Sequence, residues 1–374
     1  MHISLDWIGD YVDVPELPPA ELARRFTMGT AEVDSFKGEN EHLEKILVVQ
    51  ATQIDKHPDA DKLSIVHFKV SDKEQRNVVT GATNVVVGKK YPYAPTGTLL
   101  PNGLLLRPQK LRGVMSEGML CSEDELGLGS DHDGIMALPD DAPLGVSLAN
   151  LWQQKKDILI DIDNKSLTHR PDLWGIYGLA REFAAIFERP LKNPYDEKWA
   201  AHWRSQFDQR SSPVVPKLVG ESSCWGYFGL TVENITIAES PAWMKKRLQA
   251  VGIRAINNIV DISNYVMIEL GLPLHIFDRD QIAGNELIIK RVGEECEFVT
   301  LDEVKRKLIP SDTVIGDTQG PSVLAGIMGG LKSGVSNQTK RIFIEVANWK
   351  AAEVRKTSSR LGLRTDASQR FEKS

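Results

Sequence analysis

Cysteine is scarce in this chain: the 374 residues include only Cys121, Cys224 and Cys296. They lie far apart, and the sequence has no Cys-x-x-Cys pair and no cysteine–histidine cluster. Neither a disulfide framework nor a structural zinc site is therefore predicted, and a reducing, cytoplasmic compartment is expected. The first ten residues contain two acids and no apolar run, so we predict no signal peptide.

Long apolar runs and a strong excess of one charge are also lacking. No stretch approaches the roughly 18 apolar residues that a membrane span needs, so we expect a soluble protein without a membrane partner. Lys and Arg number 45 and Asp and Glu 51, which gives a net charge of −6. This balance excludes a wholly basic nucleic-acid binder but is compatible with a local basic groove, because local field determines phosphate affinity.

Several catalytic motifs are missing. The chain has no phosphate loop, no His-Glu-x-x-His, no Gly-x-Ser-x-Gly and no strand-linked Gly-x-Gly-x-x-Gly. Asp131-His132-Asp133 comes nearest to a metal triplet, but adjacent side chains rarely point at one ion, which favours a solvated turn. We therefore predict no ATP site and no metal site.

The pattern along the chain predicts an α+β, multidomain protein. Residues 1–40 and 151–200 have helical patterns, and we predict that they form one discontinuous N-terminal helical module. Residues 41–150 contain short strands separated by Gly and Pro turns, which is typical of a small β-barrel inserted in that module. The polar, proline-bearing stretch 190–220 is interpreted as a linker, and residues 205–374 as a mixed α/β domain.

Motifs in the barrel region point to nucleic acid. They are His57-Pro-Asp-Ala-Asp-Lys-Leu63, Gly81-Ala-Thr-Asn84, the segment 110–123 and Glu125-Leu-Gly-Leu-Gly129. Basic residues that could contact phosphates are Lys62, Lys89, Lys90, Arg107, Lys110 and Arg112. The alternative is a spacer barrel with ordinary surface lysines. As an ordered set, the motifs resemble the oligonucleotide-binding barrel of the tRNA-binding type, which occurs in bacterial synthetase subunits and stand-alone tRNA-binding proteins.

Polar residues interrupt apolar patterns in the second half of the chain. Glu345 stands in the apolar strand 342–346, where it either faces solvent or is a buried acceptor, and His275 is either a satisfied core histidine or a ligand-binding one. The small-residue turn 325–330 allows close backbone approach to a ligand. Nearer the middle, Arg170 and Asp172 either form a structural pair or contact a ligand.

The chain resembles the beta subunit of bacterial phenylalanyl-tRNA synthetase over nearly its whole length. The resemblance rests on the segments around Arg170, His275, 325–330 and Glu345, on Ile3-Ser-Leu-Asp-Trp-Ile at the start and on 362–372 at the end. The resemblance implies an editing domain, over 205–374, that hydrolyses tyrosine wrongly attached to tRNA(Phe). Glu345 would accept a hydrogen bond from the tyrosine phenol. The residues implied to hold or make room for the amino acid are Ala325, the amide of Gly326, Gly329, Thr365 and Ala367. Those implied to line the ribose end and the attacking water are Ser263, where the family commonly has Thr, Asn264 and His275.

The resemblance also implies partners. An alpha subunit would hold ATP, Mg²⁺ and phenylalanine, in a heterotetramer of two alpha and two beta subunits that charges tRNA(Phe). We expect no cofactor in this chain and no charging by it alone. Because a family motif continues up to the last residue, we expect the chain to be part of a longer protein. The alternative reading is a module that binds tRNA or a partner and has no activity in isolation.

Overall fold

The computed structural model describes residues 1–38, 41–128, 131–152, 157–207, 212–331 and 334–373. In these residues the helices are α1 (Leu5–Ile8), α2 (Pro19–Gly29), α3 (Leu148–Leu151), α4 (Ile176–Ile186), α5 (Glu197–Gln206), α6 (Ala242–Ala250), α7 (Asn258–Leu270), α8 (Ala351–Leu361) and α9 (Asp366–Phe371). Short 3-10 turns lie at Glu41–Glu44, Asn164–Leu167, Pro171–Leu173, Arg279–Gln281 and Ala283–Asn285.

The strands of the described residues fall into six sheets. They are β1 (His2–Ser4), β2 (Val33–Gly38), β3 (Leu47–Lys56), β4 (Ser64–Ser71), β5 (Glu74–Thr80), β6 (Lys90–Pro95), β7 (Gln109–Leu111), β8 (Val114–Ser116), β9 (Gly118–Leu120), β10 (Ile158–Ile162), β11 (Val215–Leu218), β12 (Cys224–Glu233), β13 (His275–Asp278), β14 (Glu286–Arg291), β15 (Cys296–Val299), β16 (Lys305–Leu308), β17 (Thr313–Asp317), β18 (Gly320–Leu324), β19 (Met328–Gly329) and β20 (Arg341–Trp349). The chain divides into two compact units, Met1–Lys37 with Ile158–Ser374, and Gly38–Asp157.

The unit Gly38–Asp157 contains a barrel-like antiparallel sheet. Its strand order is β5-β4-β3-β6-β9, and the hairpin β7–β8 lies beside it. The sheet nearly closes, because the Val79 N–H of β5 donates to Ser116 Oγ at 3.1 Å and the Asn77 side-chain amide donates to the Met115 carbonyl at 3.1 Å. The prediction of a mixed α and β fold with a small barrel is thus confirmed at this level.

Strand β3 has an apolar run in which polar and apolar residues do not alternate, because both of its faces are covered. Val48 and Val49 are both fully buried but belong to different hydrophobic clusters, because successive side chains of a strand point to opposite faces. Strand β4 has one face covered and keeps the alternating pattern, with Val66 and Phe68 buried and their neighbours partly exposed. The two patterns therefore distinguish a strand covered on both faces from one covered on a single face.

The N-terminal part of the other unit packs helices on the small sheet β1-β10-β2. Phe26 of α2 stacks on Phe183 of α4 with ring centroids 5.0 Å apart. Helix α7 also contributes to this core, since Tyr265 and Ile268 pack against it and the Tyr265 ring lies 4.5 Å from that of Trp7.

The rest of this unit packs two sheets around one core. The five-stranded sheet has the order β11-β14-β17-β18-β19, and the three-stranded sheet has the order β12-β20-β13. Leu287 and Ile315 of the larger sheet and Phe277 and Phe343 of the smaller one belong to the same buried cluster. The central strand β20 is antiparallel to both of its neighbours, so its inward-facing side chains lie in the middle of the domain.

The linker prediction for 190–220 was wrong in its described part. Helix α5 and strand β11 lie within this stretch, while residues 208–211 are outside the described residues. The Asp196 carboxylate caps α5 by accepting a hydrogen bond from the Trp199 N–H at 2.8 Å, a helix-start signal that the composition masked. Pro216 is tolerated in β11 because that strand is at the edge of its sheet.

Candidate functional site

The register of β20 places two titratable side chains side by side. Glu345 is the direct cross-strand neighbour of His275 on β13 and of Gly229 on β12. Directly opposed residues of an antiparallel pair share one face and have Cβ atoms about 4.5–5.5 Å apart. Phe343 and Phe277 form the next pair on the same inward face. The fold therefore brings together Glu345 and His275, which are 70 residues apart in the sequence.

Glu345 is a buried acceptor and does not face solvent. Its exposed fraction is 5%. The Tyr227 hydroxyl donates a hydrogen bond to its Oε2 at 3.1 Å. Burial raises the pKa of Glu345 to about 8, and the Tyr227 hydrogen bond acts in the opposite direction because it favours the charged carboxylate. Of the two alternatives left open by the sequence, the structure selects the buried one.

His275 is only partly exposed, and its Nε2 is completely buried without a hydrogen-bond partner among the described residues. Its ring packs edge-on against Phe277, with centroids 4.5 Å apart. Burial lowers the pKa of His275 to about 4, so the imidazole is neutral at pH 7. A buried nitrogen without a partner destabilises the fold and therefore calls for an explanation. Among the described residues, Trp7, Thr98, Arg291 and Arg370 also have a buried side-chain atom without a partner.

The turn 325–330 approaches His275 without side chains in between. A Cβ at Gly329 would lie 2.7 Å from Cε1 of His275. Gly326 has a left-handed φ of 68°, and a Cβ there would lie 2.9 Å from the Trp349 ring. Ala325 is buried and donates its N–H to the Thr313 carbonyl at 3.1 Å. Both glycines are therefore required by space, and any side chain at position 329 would press on His275.

Helix α9 is tied to the same turn through Thr365. The Thr365 hydroxyl donates to the Ile327 carbonyl at 2.7 Å and accepts the Ser368 N–H at 3.0 Å, which forms a capping box. Ala367 is partly buried and packs against the same core as Phe343. The structure thus groups Thr365 with the small-residue turn.

Ser263 and Asn264 lie on α7, which packs against β13. Both are partly exposed, and the Ser263 hydroxyl donates to the Val260 carbonyl at 2.8 Å. The start of α7 is fixed by Asn257, whose side chain accepts the N–H groups of Ile259 and Val260. Among the described contacts, none joins Ser263 or Asn264 directly to Glu345. Their grouping with His275 rests on the packing of the helix against the strand.

Three of the basic residues predicted for tRNA binding come together in the barrel unit. The Arg112 guanidinium donates to the Asp59 carbonyl at 3.3 Å, and the His57 ring bonds the Leu111 carbonyl at 3.0 Å. These bonds join the turn that carries Lys62 to the β7–β8 hairpin that carries Lys110, and Lys62, Lys110 and Arg112 are all exposed.

Next to these residues is a cavity of about 440 Å³. Its lining consists of Ile54, Asp61, Lys62, Ser64, Val66, Gly81, Ala82, Thr83 and Val85. Two of the sequence motifs, 57–63 and 81–84, therefore meet at one concave surface.

The other basic residues have a different setting. Lys89 pairs with the Asp140 carboxylate at 2.7 Å, and the Lys90 ammonium donates to the carbonyls of Asp140 and Ala142 at 2.6 Å. Arg107 is exposed in the segment before β7. Lys89 and Lys90 are thus engaged within the barrel, and a phosphate would have to compete with those partners.

Some conspicuous motif residues support the fold. The Asn84 side chain donates to the Ile135 carbonyl at 2.8 Å and accepts the Ile135 N–H at 3.0 Å. Arg170 forms hydrogen bonds with both Asp172 and Glu182, which is the structural pair considered above. Gly129 lies outside the described residues. Within the described part of the chain, no group of three His, Cys, Asp or Glu side chains is arranged to hold a metal ion.

One residue of the site was missed by the sequence analysis. Tyr227 lies on β12, and no motif singled out this strand. The available signal was the tyrosine itself, an aromatic residue with a polar end that needs a hydrogen-bond partner when it is buried. Sequence alone could not pair it with Glu345, because the register between the two strands was unknown.

Comparison with known proteins gives two family matches. A family described as "B3/4 domain" matches residues 223–374. A family described as "Putative tRNA binding domain" matches residues 46–147. The first range contains every residue of the site built around Glu345, and the second contains all six basic residues of the barrel.

Curated relatives match over the whole chain. The phenylalanine--tRNA ligase beta subunit of Nitratidesulfovibrio vulgaris is 38% identical over 373 residues, which is 100% of this chain and 46% of the relative. That of Porphyromonas gingivalis is 39% identical over 388 residues, with the same two coverages. The chain thus spans about half the length of the relatives it matches.

Among solved structures, an N-terminal fragment of the phenylalanyl-tRNA synthetase beta subunit from Pyrococcus horikoshii is 19% identical. The match covers 52% of this chain and 56% of that one, with a TM-score of 0.30. In the described part of the chain, no helix has both the length and the apolar character that a membrane crossing requires.

Proposed function

Because the chain belongs to the family of phenylalanine--tRNA ligase beta subunits, we propose that it binds tRNA and hydrolyses tyrosine mistakenly attached to tRNA(Phe). It would do so as part of an enzyme that charges tRNA(Phe) with phenylalanine. The observation that carries the proposal is the buried pair on the inner face of the three-stranded sheet. Glu345 and His275 are cross-strand neighbours there, and the buried His275 Nε2 has no partner among the described residues.

Glu345 supplies the selectivity in this proposal. It accepts a hydrogen bond from the phenol of a tyrosyl ester, in its ionised form or through the carbonyl oxygen of its neutral form. A phenylalanyl ester has no hydroxyl, so its ring would cover the buried carboxyl without giving it a donor. Sites built around a hydroxyl discriminate strongly against the analogue that lacks it, for this reason. The backbone amide of Gly326, after Ala325, is proposed as a second partner of the phenol oxygen.

His275 is proposed to orient or deprotonate the water that attacks the ester. Its neutral imidazole has one ring nitrogen able to accept a hydrogen bond or a proton from the water, and burial makes it a weaker base than a free imidazole. Ser263 and Asn264, on the adjacent helix, would hold the terminal ribose. Gly329, Thr365 and Ala367 would form the wall that leaves room for the amino acid. No protein nucleophile takes part.

The barrel is proposed to contribute the tRNA contacts. Lys62 lines the concave surface, Lys110 and Arg112 lie on the hairpin bonded to the same turn, and all three are exposed and supply the charge that phosphates need. Arg107, Lys89 and Lys90 are assigned a secondary role, since the last two already have partners in the barrel. The domain boundaries proposed are 1–40 with 151–200 for the helical module, 41–150 for the barrel and 205–374 for the editing domain.

ATP and Mg²⁺ are proposed to serve the alpha subunit, in a heterotetramer of two alpha and two beta subunits in the cytoplasm. The described residues of this chain do not fit either group: they contain no metal-ligand cluster, and the sequence has no phosphate loop. No step of the proposed hydrolysis therefore uses them.

The test is deacylation of tyrosyl-tRNA(Phe) by the 374-residue chain, with phenylalanyl-tRNA(Phe) as the control substrate. We expect selective release of tyrosine. Glu345→Ala should relax the selectivity and leave tRNA affinity nearly unchanged. Hydrolysis of neither ester, in the presence of normal tRNA binding, would contradict the hydrolase proposal for this chain and leave a binding module.

A further inference from the structure

Among the described residues, Tyr227 donates a hydrogen bond to the Glu345 carboxyl. Its cross-strand neighbour on β20 is Ala347, two residues beyond Glu345, so Tyr227 and Glu345 are diagonal neighbours on the inner face. The residue directly opposite Glu345 on β12 is Gly229, which has no side chain. The Tyr227 hydroxyl bonds Oε2 of Glu345 at 3.1 Å, across positions held by small residues.

The two oxygens of the Glu345 carboxyl differ in their contacts. Oε2 accepts the Tyr227 hydroxyl, and Oε1 accepts no hydrogen bond from the described residues. The titratable groups that influence or adjoin the carboxyl are Tyr227 and Cys224 on β12 and His275 on β13. No cation among the described residues shifts the pKa of Glu345, so the Tyr227 hydroxyl is the interaction that favours its charged form.

We propose that Tyr227 is a positioning residue for Glu345, whose hydroxyl holds Oε2 and thereby presents Oε1 to the phenol of a tyrosyl ester. The inference rests on the proposed editing function and deepens it, because it names the residue that orients the acceptor. The terminal torsion of a glutamate is broad and roughly two-fold, so a carboxyl with no fixed oxygen has no preferred direction for a second donor.

Two consequences distinguish this role from simple packing. Removing the hydroxyl while keeping the ring should weaken binding of tyrosyl esters and leave phenylalanyl esters unaffected, because only the former use Oε1. It should also raise the pKa of Glu345 further, because the missing bond favoured the carboxylate. A residue that only filled space would change neither the choice between esters nor the titration of Glu345.

The experiment compares the full chain with Tyr227→Phe, and with Tyr93→Phe as the matched control. Tyr93 is also buried, but its hydroxyl donates to the Glu117 carbonyl in the barrel, at 2.6 Å. Three properties are measured: hydrolysis of both esters of tRNA(Phe), binding of L-tyrosinamide and L-phenylalaninamide, and the pH titration of Glu345. The titration uses protein with ¹³C-labelled glutamate carboxyls, with Glu345→Gln to assign the resonance.

For Tyr227→Phe we expect a KM up to about tenfold higher for the tyrosyl ester, the effect of one hydrogen bond. The preference for tyrosinamide should fall similarly, and Glu345 should titrate at higher pH. Tyr93→Phe should behave as the unmodified chain. Replacing Tyr227 by 3-fluorotyrosine, a stronger donor of the same shape, should move the Glu345 titration to lower pH and covers the case in which Tyr227→Phe fails to fold.

An unchanged preference or an unchanged Glu345 titration in Tyr227→Phe would overturn the inference. If the unmodified chain hydrolyses neither ester, the proposed function fails, and the amide-binding arm decides the role of Tyr227 separately. Equal binding of tyrosinamide and phenylalaninamide by the unmodified chain would reject that role as well.

Discussion

The barrel and the three-stranded sheet place their candidate functional groups in opposite environments. Lys62, Lys110 and Arg112 of the barrel are exposed to solvent. Glu345 and the Nε2 of His275 are buried between sheets, where each polar atom without a partner destabilises the fold. Exposed charges alone are weak indicators of function, since surfaces normally carry them. Two buried titratable side chains next to each other, one of them with an unpartnered nitrogen, are a stronger indicator, because the fold would be more stable without them.

Among the changes proposed here, we expect the replacement of Gly329 to reduce hydrolysis at the buried site most strongly. In Gly329→Leu the side chain occupies the space beside His275, since a Cβ alone would lie 2.7 Å from its Cε1. We expect deacylation of tyrosyl-tRNA(Phe) to fall by about 100-fold or more, because small displacements of reacting groups have effects of this order. Gly334→Ala is the control, since its Cβ would be 3.7 Å from the nearest atom. Normal activity of Gly329→Leu would remove this turn from the site.

His275→Leu separates the contribution of His275 to activity from its contribution to stability. Hydrolysis should fall on the order of 100-fold, the usual contribution of a general base. The free energy of unfolding at pH 7 should rise by about 1 kcal/mol, because an unpartnered buried nitrogen is removed.

The pH dependence of stability checks the His275 assignment. Burial lowers the pKa of His275 from 6.5 to about 4, so between these values the unfolded chain binds more protons than the folded one. The stability of the unmodified chain should therefore fall as the pH decreases through this window, and that of His275→Leu should fall less. Chemical denaturation at several pH values measures both. A variant less stable than the parent at pH 7 would show that His275 is a satisfied core residue.

Glu345→Gln tests whether the Glu345 carboxyl is buried. The expected pH dependence of stability is opposite in sign to that of His275. The pKa of Glu345 is raised from 4.5 to about 8, so between these values the folded chain binds more protons than the unfolded one. The stability of the parent chain should fall as pH rises from about 4.5 to about 8, by up to about 1.4 kcal/mol for each unit of pKa shift. Glu345→Gln should not show this fall. Parallel stability curves for the two proteins would mean that Glu345 is solvated.

The smallest expected effect concerns the barrel. Changing Lys62, Lys110 and Arg112 to Ala together should weaken tRNA binding and reduce the salt slope of the binding constant by about 0.7–0.9 for each phosphate that the variant no longer neutralises. Lys89→Ala is the comparison, and we expect little change from it, because Lys89 is already paired with Asp140. Filter binding at several salt concentrations gives both slopes. Equal slopes for the triple variant and the parent would favour the spacer-barrel alternative.

Local patterns in the sequence account for several elements. Helix α7 begins and ends where its polar cap and glycine indicate, with Asn257 before it and Gly271 in a left-handed conformation after it. The apolar run 342–346 indicated a strand, which extends over Arg341–Trp349, and the strand Glu286–Arg291 likewise contains an apolar run. The linker prediction for 190–220 was wrong because prolines and polar residues obscured a helix whose cap is a single aspartate. The exposed tryptophans Trp199 and Trp203, spaced like one helix face, were the overlooked signal.

Motifs and resemblance are local in the chain, so they were enough to indicate the residue types of the candidate site. They identified Glu345 and His275 but left open whether each was buried or satisfied. The packed fold answers this question, since burial depends on which strands pair and in what register. The same register brought in Tyr227, whose hydroxyl meets Glu345 across 118 residues of sequence. Pairing between distant strands is a property of the packed domain, and no local pattern encodes it.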